Sequence, residues 1–111
     1  MSTIALSPHD LSQADLVGAL RRMRPELARL GVTRLSLFGS RARGDHRADS
    51  DIDLLVDVDE IRKFSLLDLI AVTHAIEDET GLSANLVMRR SLDAAFIDEV
   101  RRDELVVFGG P

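Results

Sequence analysis

Two aspartates, Asp51 and Asp53, flank a single isoleucine and open an apolar run. Ten residues separate the first of them from a small-residue pair, Gly39-Ser40. In an extended chain, side chains at i and i+2 face one side, about 6.5–7 Å apart. Asp51 and Asp53 can therefore share a divalent cation while leaving positions for phosphate oxygens, the usual coordination habit of Mg²⁺. Gly39 lets backbone approach a ligand closely, and Ser40 adds a hydroxyl. If Ser40 opens a helical turn, its amides and the dipole end favour an anion. Arg41 and Arg43 can offset phosphate charge. A turn for phosphate followed by paired carboxylates for a metal meets the needs of a nucleotide-handling site.

Each piece alone is commonplace. Most Asp-x-Asp pairs are solvated strand ends, and most loop arginines are solvated too. Order, spacing and placement between two strand-like runs give the set its weight. His46, in the same loop, is better read as a solvated side chain than as a ligand. His9 belongs to a helix cap and His74 to a helix surface. Arg89 and Arg90 could reach a phosphate or a partner, or simply end a strand in solvent.

The elements that must position these residues follow from pattern. Ser7-Pro8-His9-Asp10 resembles a helix start, with Ser12 as an alternative cap. Leu16, Val17, Leu20, Met23, Leu27 and Leu30 then recur near helical spacing, and Pro25 should break that helix near Arg24. Gly31 would end it. Val32 to Phe38 alternates like a strand; Ser40 to Arg43 is a short helix stopped by Gly44; Asp51 to Val56 is a second strand. Phe64 to Thr80 reads as a helix with Leu66, Leu67, Leu69, Ile70, Val72 and Ile76 on its apolar face. Ala84 to Met88 is a third strand. Ser91 should cap a last helix reaching about Arg102, with Leu92, Phe96, Ile97 and Val100 inward. Leu105 to Phe108 is a short edge strand. The sum is an α/β chain of the α+β type, a small mixed sheet with helices packed on it.

Bulk properties bound the function. At 111 residues the chain reads as one domain, residues 1 to 111, without staples. A net charge of −5 gives no general attraction to nucleic acid, so no direct nucleic-acid binding is expected. The arginines near Gly39 form a local basic spot that suits a small polyphosphate. The chain has no cysteine, no secretory start and no apolar run near the ~20 residues that span a bilayer. These features predict a cytoplasmic protein with no membrane partner.

At Gly39-Ser40 and Asp51-Ile52-Asp53, with Arg41, Arg43 and Gly44 in the same style, the chain resembles the minimal nucleotidyltransferases of the DNA-polymerase-β-like superfamily. The resemblance implies Mg²⁺, held by Asp51 and Asp53, and a nucleoside triphosphate, ATP, held at Gly39, Ser40, Arg41 and Arg43. It also implies a partner. Many members act as antitoxins beside a helical HEPN ribonuclease and transfer AMP to its tyrosine. Family members usually carry an acidic residue on the third strand, where this chain has Asn85. An amide offers a carbonyl oxygen but no charge and no base. Two readings therefore stand side by side: an AMP-transferring enzyme, and a degenerate antitoxin that neutralises its toxin by stoichiometric binding. Transfer to a small molecule is disfavoured, because little chain is left for a further substrate domain.

Overall fold

The computed structural model of the chain describes residues 11–47 and 49–109. The Ser7-Pro8 helix start and His9 lie outside them. Ser12 is the cap that begins α1 (Gln13–Arg22), its hydroxyl accepting from the Asp15 amide at 3.0 Å. Pro25 ends that run as expected: Met23 is the joint, and α2 (Arg24–Arg29) continues beyond it.

Four strands follow: β1 (Val32–Phe38), β2 (Ile52–Val58), β3 (Ala84–Met88) and β4 (Leu105–Phe108). They form one mixed sheet in the order β3-β2-β1-β4. β1 runs antiparallel to both β2 and β4, while β2 and β3 are parallel. A parallel pair needs a long crossover, supplied here by α4 (Leu66–Thr80). Between β1 and β2 lies the short α3 (Gly39–Arg43), ended by Gly44 in the left-handed conformation. A single 3₁₀ turn (Arg89–Ser91) and α5 (Ala94–Arg101) join β3 to β4.

Alternation divides the sheet into two chemically different faces. Leu35, Leu37, Ile52, Leu54 and Val56 face the helices and meet Leu16, Leu20, Leu27, Val72 and Ile76 in one buried cluster. Each such side chain contributes about 1.5–3 kcal/mol by leaving water. The other face carries Arg34, Ser36 and Phe38 of β1, paired in register with Asp57, Leu55 and Asp53 of β2. On β3, Asn85 and Val87 pair with Asp53 and Leu55. The apolar face anchors the sheet, and the opposite face displays the polar residues.

Four sequence expectations are corrected. β2 begins at Ile52, not Asp51, and runs on through Asp57 to Val58. Asp57 is tolerated in the strand because Arg34 and Arg89 lie against it. The cap of α5 is Asp93, whose carboxylate accepts from the Phe96 amide at 2.9 Å; Ser91 sits in the preceding turn. Of the side chains expected inward on α5, Val100 is buried and Phe96 is exposed. The apolar face of α4 is only half used. Val72 and Ile76 are buried, but Leu66, Leu67 and Ile70 remain 71%, 76% and 42% exposed. Among the described residues no helix is long and apolar enough to cross a membrane.

Candidate active site

The site begins where β1 ends. Phe38 is extended, and Gly39 turns the chain with φ +73° into α3. That conformation suits glycine, and the surroundings demand it as well. A Cβ on Gly39 would lie 2.5 Å from Asp53 Oδ2, far inside contact distance. The missing side chain is the space that the Asp53 carboxylate occupies. This contact brings the Gly39-Ser40 turn and the Asp-x-Asp segment together across the 13 residues between Gly39 and Asp53.

Register fixes the rest of the row. Asp53 lies between Phe38 on β1 and Asn85 on β3. The Asn85 amide donates from Nδ2 to Asp53 Oδ1 at 3.3 Å. Asn85 is exposed, Asp53 half-buried, and Asp51 exposed just ahead of β2. Ile52, between the two aspartates, is fully buried. Its amide donates to Ser83 O at 2.8 Å, which pins the backbone at this point.

Arg41 has a different post from the phosphate contact its position suggests. It is 2% exposed. Its Nε and Nη2 donate to Ser50 O at 3.1 and 2.9 Å. Burial lowers its pKa from the usual guanidinium value, and the nearby charge of Asp51 opposes that shift. Gln13 of α1 reaches the other side of the same turn, donating from Nε2 to Arg41 O at 3.1 Å and Ala42 O at 2.8 Å. Sequence alone gave Gln13 no role, because a polar helix residue carries no mark of a distant carbonyl acceptor.

Arg43 is exposed and paired with Asp45 at 3.0 Å and Asp103 at 3.1 Å. Hydrogen bonds to those two carboxylates raise its pKa. Beside it opens a cleft of about 170 Å³, lined by Phe38, Gly39, Phe96, Glu99 and Asp103 among others. His46 is half-buried in the loop, and His74 is exposed on α4.

Further along the same sheet face lies a charge network that sequence reading missed. Arg34 meets Glu104 at 3.1 Å and Asp57 at 4.0 Å. Arg89 donates from Nε to both Asp57 oxygens at 3.0 and 3.1 Å and from Nη2 to Glu104. Burial would raise the Glu104 carboxyl. The hydrogen bond from Arg89, with the charges of Arg89 and Arg34, outweighs burial and holds it below its usual value. Arg89 is thus a structural cation that ties β3 to β2 and β4.

Among the described residues no group of three His, Cys, Asp or Glu side chains gathers as a metal cage. Asp51, just ahead of β2, and Asp53, on it, are the carboxylates of the Asp-x-Asp segment. Such hard oxygen donors, Asp51 exposed and Asp53 half-buried, suit a Mg²⁺ that keeps several waters and takes phosphate oxygens as its remaining ligands. The first amides of α3 lack intrahelical acceptors, and such amides suit an anion.

Comparison with known proteins agrees with this geometry. A family model of the nucleotidyltransferase domain matches residues 20–108. The chain is 40% identical over 79 residues to the protein adenylyltransferase MntA of Thermococcus cleftensis, covering 71% of this chain and 78% of that one. A solved structure of a candidate minimal nucleotidyltransferase superposes with a TM-score of 0.75 at 33% identity, over 86% of this chain and 96% of that one. The fold is also shared with a structure of a tri-AMPylated Shewanella oneidensis HEPN toxin in complex with an MNT antitoxin. There the TM-score is 0.65 at 15% identity, over 88% of this chain and 73% of that one.

Proposed function

Because the chain belongs to the nucleotidyltransferase domain family, we propose that it transfers AMP from ATP to a tyrosine hydroxyl of a HEPN-type toxin and so acts as an antitoxin. It would do so in the cytoplasm as a single domain spanning residues 1 to 111. One observation carries the reading. Gly39 leaves the room in which Asp53 Oδ2 sits, which supports reading the Gly39-Ser40 turn and the Asp-x-Asp segment as one site. The 40% identity to a protein adenylyltransferase supports AMP as the transferred group.

In this reading Gly39 and Ser40 hold the triphosphate with backbone amides and a hydroxyl. Asp51 and Asp53 would hold Mg²⁺, which supplies charge neutralisation on the phosphates and a template for in-line displacement. Arg43 exchanges a carboxylate partner for a phosphate oxygen. The tyrosine oxygen attacks the α-phosphorus, the bond to the bridging oxygen breaks, and pyrophosphate leaves with that electron pair. The phenol proton passes to solvent, because Asn85 cannot accept it.

Incubation with labelled ATP, Mg²⁺ and the HEPN partner tests the reading. Label should appear on the partner with the native chain and not with Asp53→Asn. Bound ATP without any label on the partner would sink it.

Asn85 supports a second reading, neutralisation by binding alone. A neutral amide lies against Asp53 where a further carboxylate would help prepare the attacking hydroxyl. In that case the complex forms and blocks the toxin without ATP.

A further inference from the structure

The Asp-x-Asp segment has a mechanical weakness. Asp51 lies just ahead of β2, and the strand bond from the Ile52 amide to Ser83 O holds it on one side only. The polar loop between Gly44 and Asp51 separates it from α3. Yet a metal site needs its ligands held within about 0.5 Å. The buried guanidinium of Arg41 answers this need. It belongs to α3, and it donates two hydrogen bonds to the carbonyl of Ser50, the residue just before Asp51. Gln13 in turn fastens the carbonyls of Arg41 and Ala42 to α1.

We propose that Arg41 is a positioning residue, not a phosphate ligand: it locks Ser50 to α3 and thereby sets Asp51 against the Gly39-Ser40 turn for metal binding. The inference rests on the metal-site reading given above. The chemistry calls for arginine in particular. Its planar fork reaches one carbonyl with two N–H groups and stays charged in a buried place. Lysine keeps the charge but offers a single compact donor head. Two residues between the glycine and the paired aspartates thus divide the labour: Arg41 faces inward to fix the backbone, and Arg43 stays exposed for the ligand.

Groups that brace metal ligands from behind commonly cost about 10- to 100-fold in metal affinity when removed. The test is Arg41→Lys on the full chain, read by Mn²⁺ titration with electron paramagnetic resonance, ATP titration without metal, and a melting curve. We expect Mn²⁺ affinity to fall about tenfold or more, while metal-free ATP affinity changes less than about twofold. Unchanged Mn²⁺ affinity overturns the proposal. So does an equal loss of metal-free ATP affinity, the mark of a direct phosphate ligand. Absence of Mn²⁺ binding by the native chain overturns it too. Should Arg41→Lys fail to fold, Gln13→Ala decides: a loss of about threefold or more in Mn²⁺ affinity supports the lock, and no loss overturns it. AMP transfer is scored separately. A native chain that binds Mn²⁺ through this lock but labels no partner refutes the transfer reading and leaves Arg41 in place.

Discussion

The side-chain amide of Asn85 donates to Asp53 at 3.3 Å, so one oxygen of the second aspartate already has a neutral partner on the neighbouring strand. The strand pairing places residue 85 at the same level as the carboxylate it would assist. Substitution there probes chemistry with little disturbance of packing.

Asn85→Asp should therefore raise the rate of AMP transfer more than the affinity for ATP. A missing general base commonly costs about 10² to 10⁴ in rate, or roughly 3–5 kcal/mol of barrier. Single-turnover transfer and ATP titration on both chains separate the two effects. Without metal the variant sets two carboxylates side by side, so its melting temperature should fall, and Mg²⁺ should restore it by more than in the native chain. Equal transfer rates would show that residue 85 is not the missing acidic position.

Gly39→Ala should fail doubly. The new Cβ meets Asp53 Oδ2, and alanine at φ +73° adds about 1–2 kcal/mol of backbone strain. We expect a lower melting temperature and loss of Mn²⁺ binding. Double substitution with Asp53→Ala should recover part of the stability and none of the binding.

Asp103→Asn should remove one of the two carboxylate partners of Arg43 and leave Asp45. Exposed ion pairs are weak and screened by salt, so ATP affinity should rise by at most about fivefold, and less at high salt. Arg43→Ala should lower it. Unaltered affinity in both variants would remove Arg43 from the phosphate site.

Glu104 governs acid sensitivity. Its folded pKa lies below its ordinary value of 4.5. The charged carboxylate therefore stabilises the fold above that value, and the contribution is lost as pH falls through the lower folded pKa. Its side chain is only 7% exposed, so Glu104→Ala leaves Arg34 and Arg89 with Asp57 as their remaining shared carboxylate. The cost at pH 7 should be about 3 kcal/mol. Urea melts at pH 7 and in the acid range should show the gap between native and variant chains narrowing on acidification.

Ile76→Ala on α4 should cost about 2–5 kcal/mol, while Leu67→Ser should stay within about 0.5 kcal/mol. The two substitutions remove similar aliphatic side chains from one helix. A comparable loss from both would contradict the half-seated helix.

That contrast shows where sequence reading succeeds and where it stops. Period and punctuation located the strands, the break at Pro25 and the stop at Gly44, because these depend on neighbours in the chain. The site residues were visible as types: small residues at a turn, paired carboxylates, an amide on the third strand. Where each arginine goes was not visible. Arg41 and Arg43 are two residues apart, yet one is buried against Ser50 and the other pairs with Asp103, 60 residues on. The partners of Arg89 and Glu104 were hidden for the same reason, since the sheet brings them together from distant segments. Leu66 and Leu67 looked like core because periodicity reports a helix's apolar side and not how far its support extends.

The contact between Gly39 and Asp53 also bears on how such a site can change over generations. A larger residue 39 must displace the Asp53 carboxylate, so the two positions should vary together. Residue 85 sits exposed on an edge strand and is under no such constraint. Asparagine and aspartate codons differ by one base, so a lineage can gain or shed the acidic side chain in one step with the fold intact. A library randomised at positions 39, 53 and 85 and sorted for soluble expression should return glycine at 39 wherever aspartate persists at 53, and many polar residues at 85.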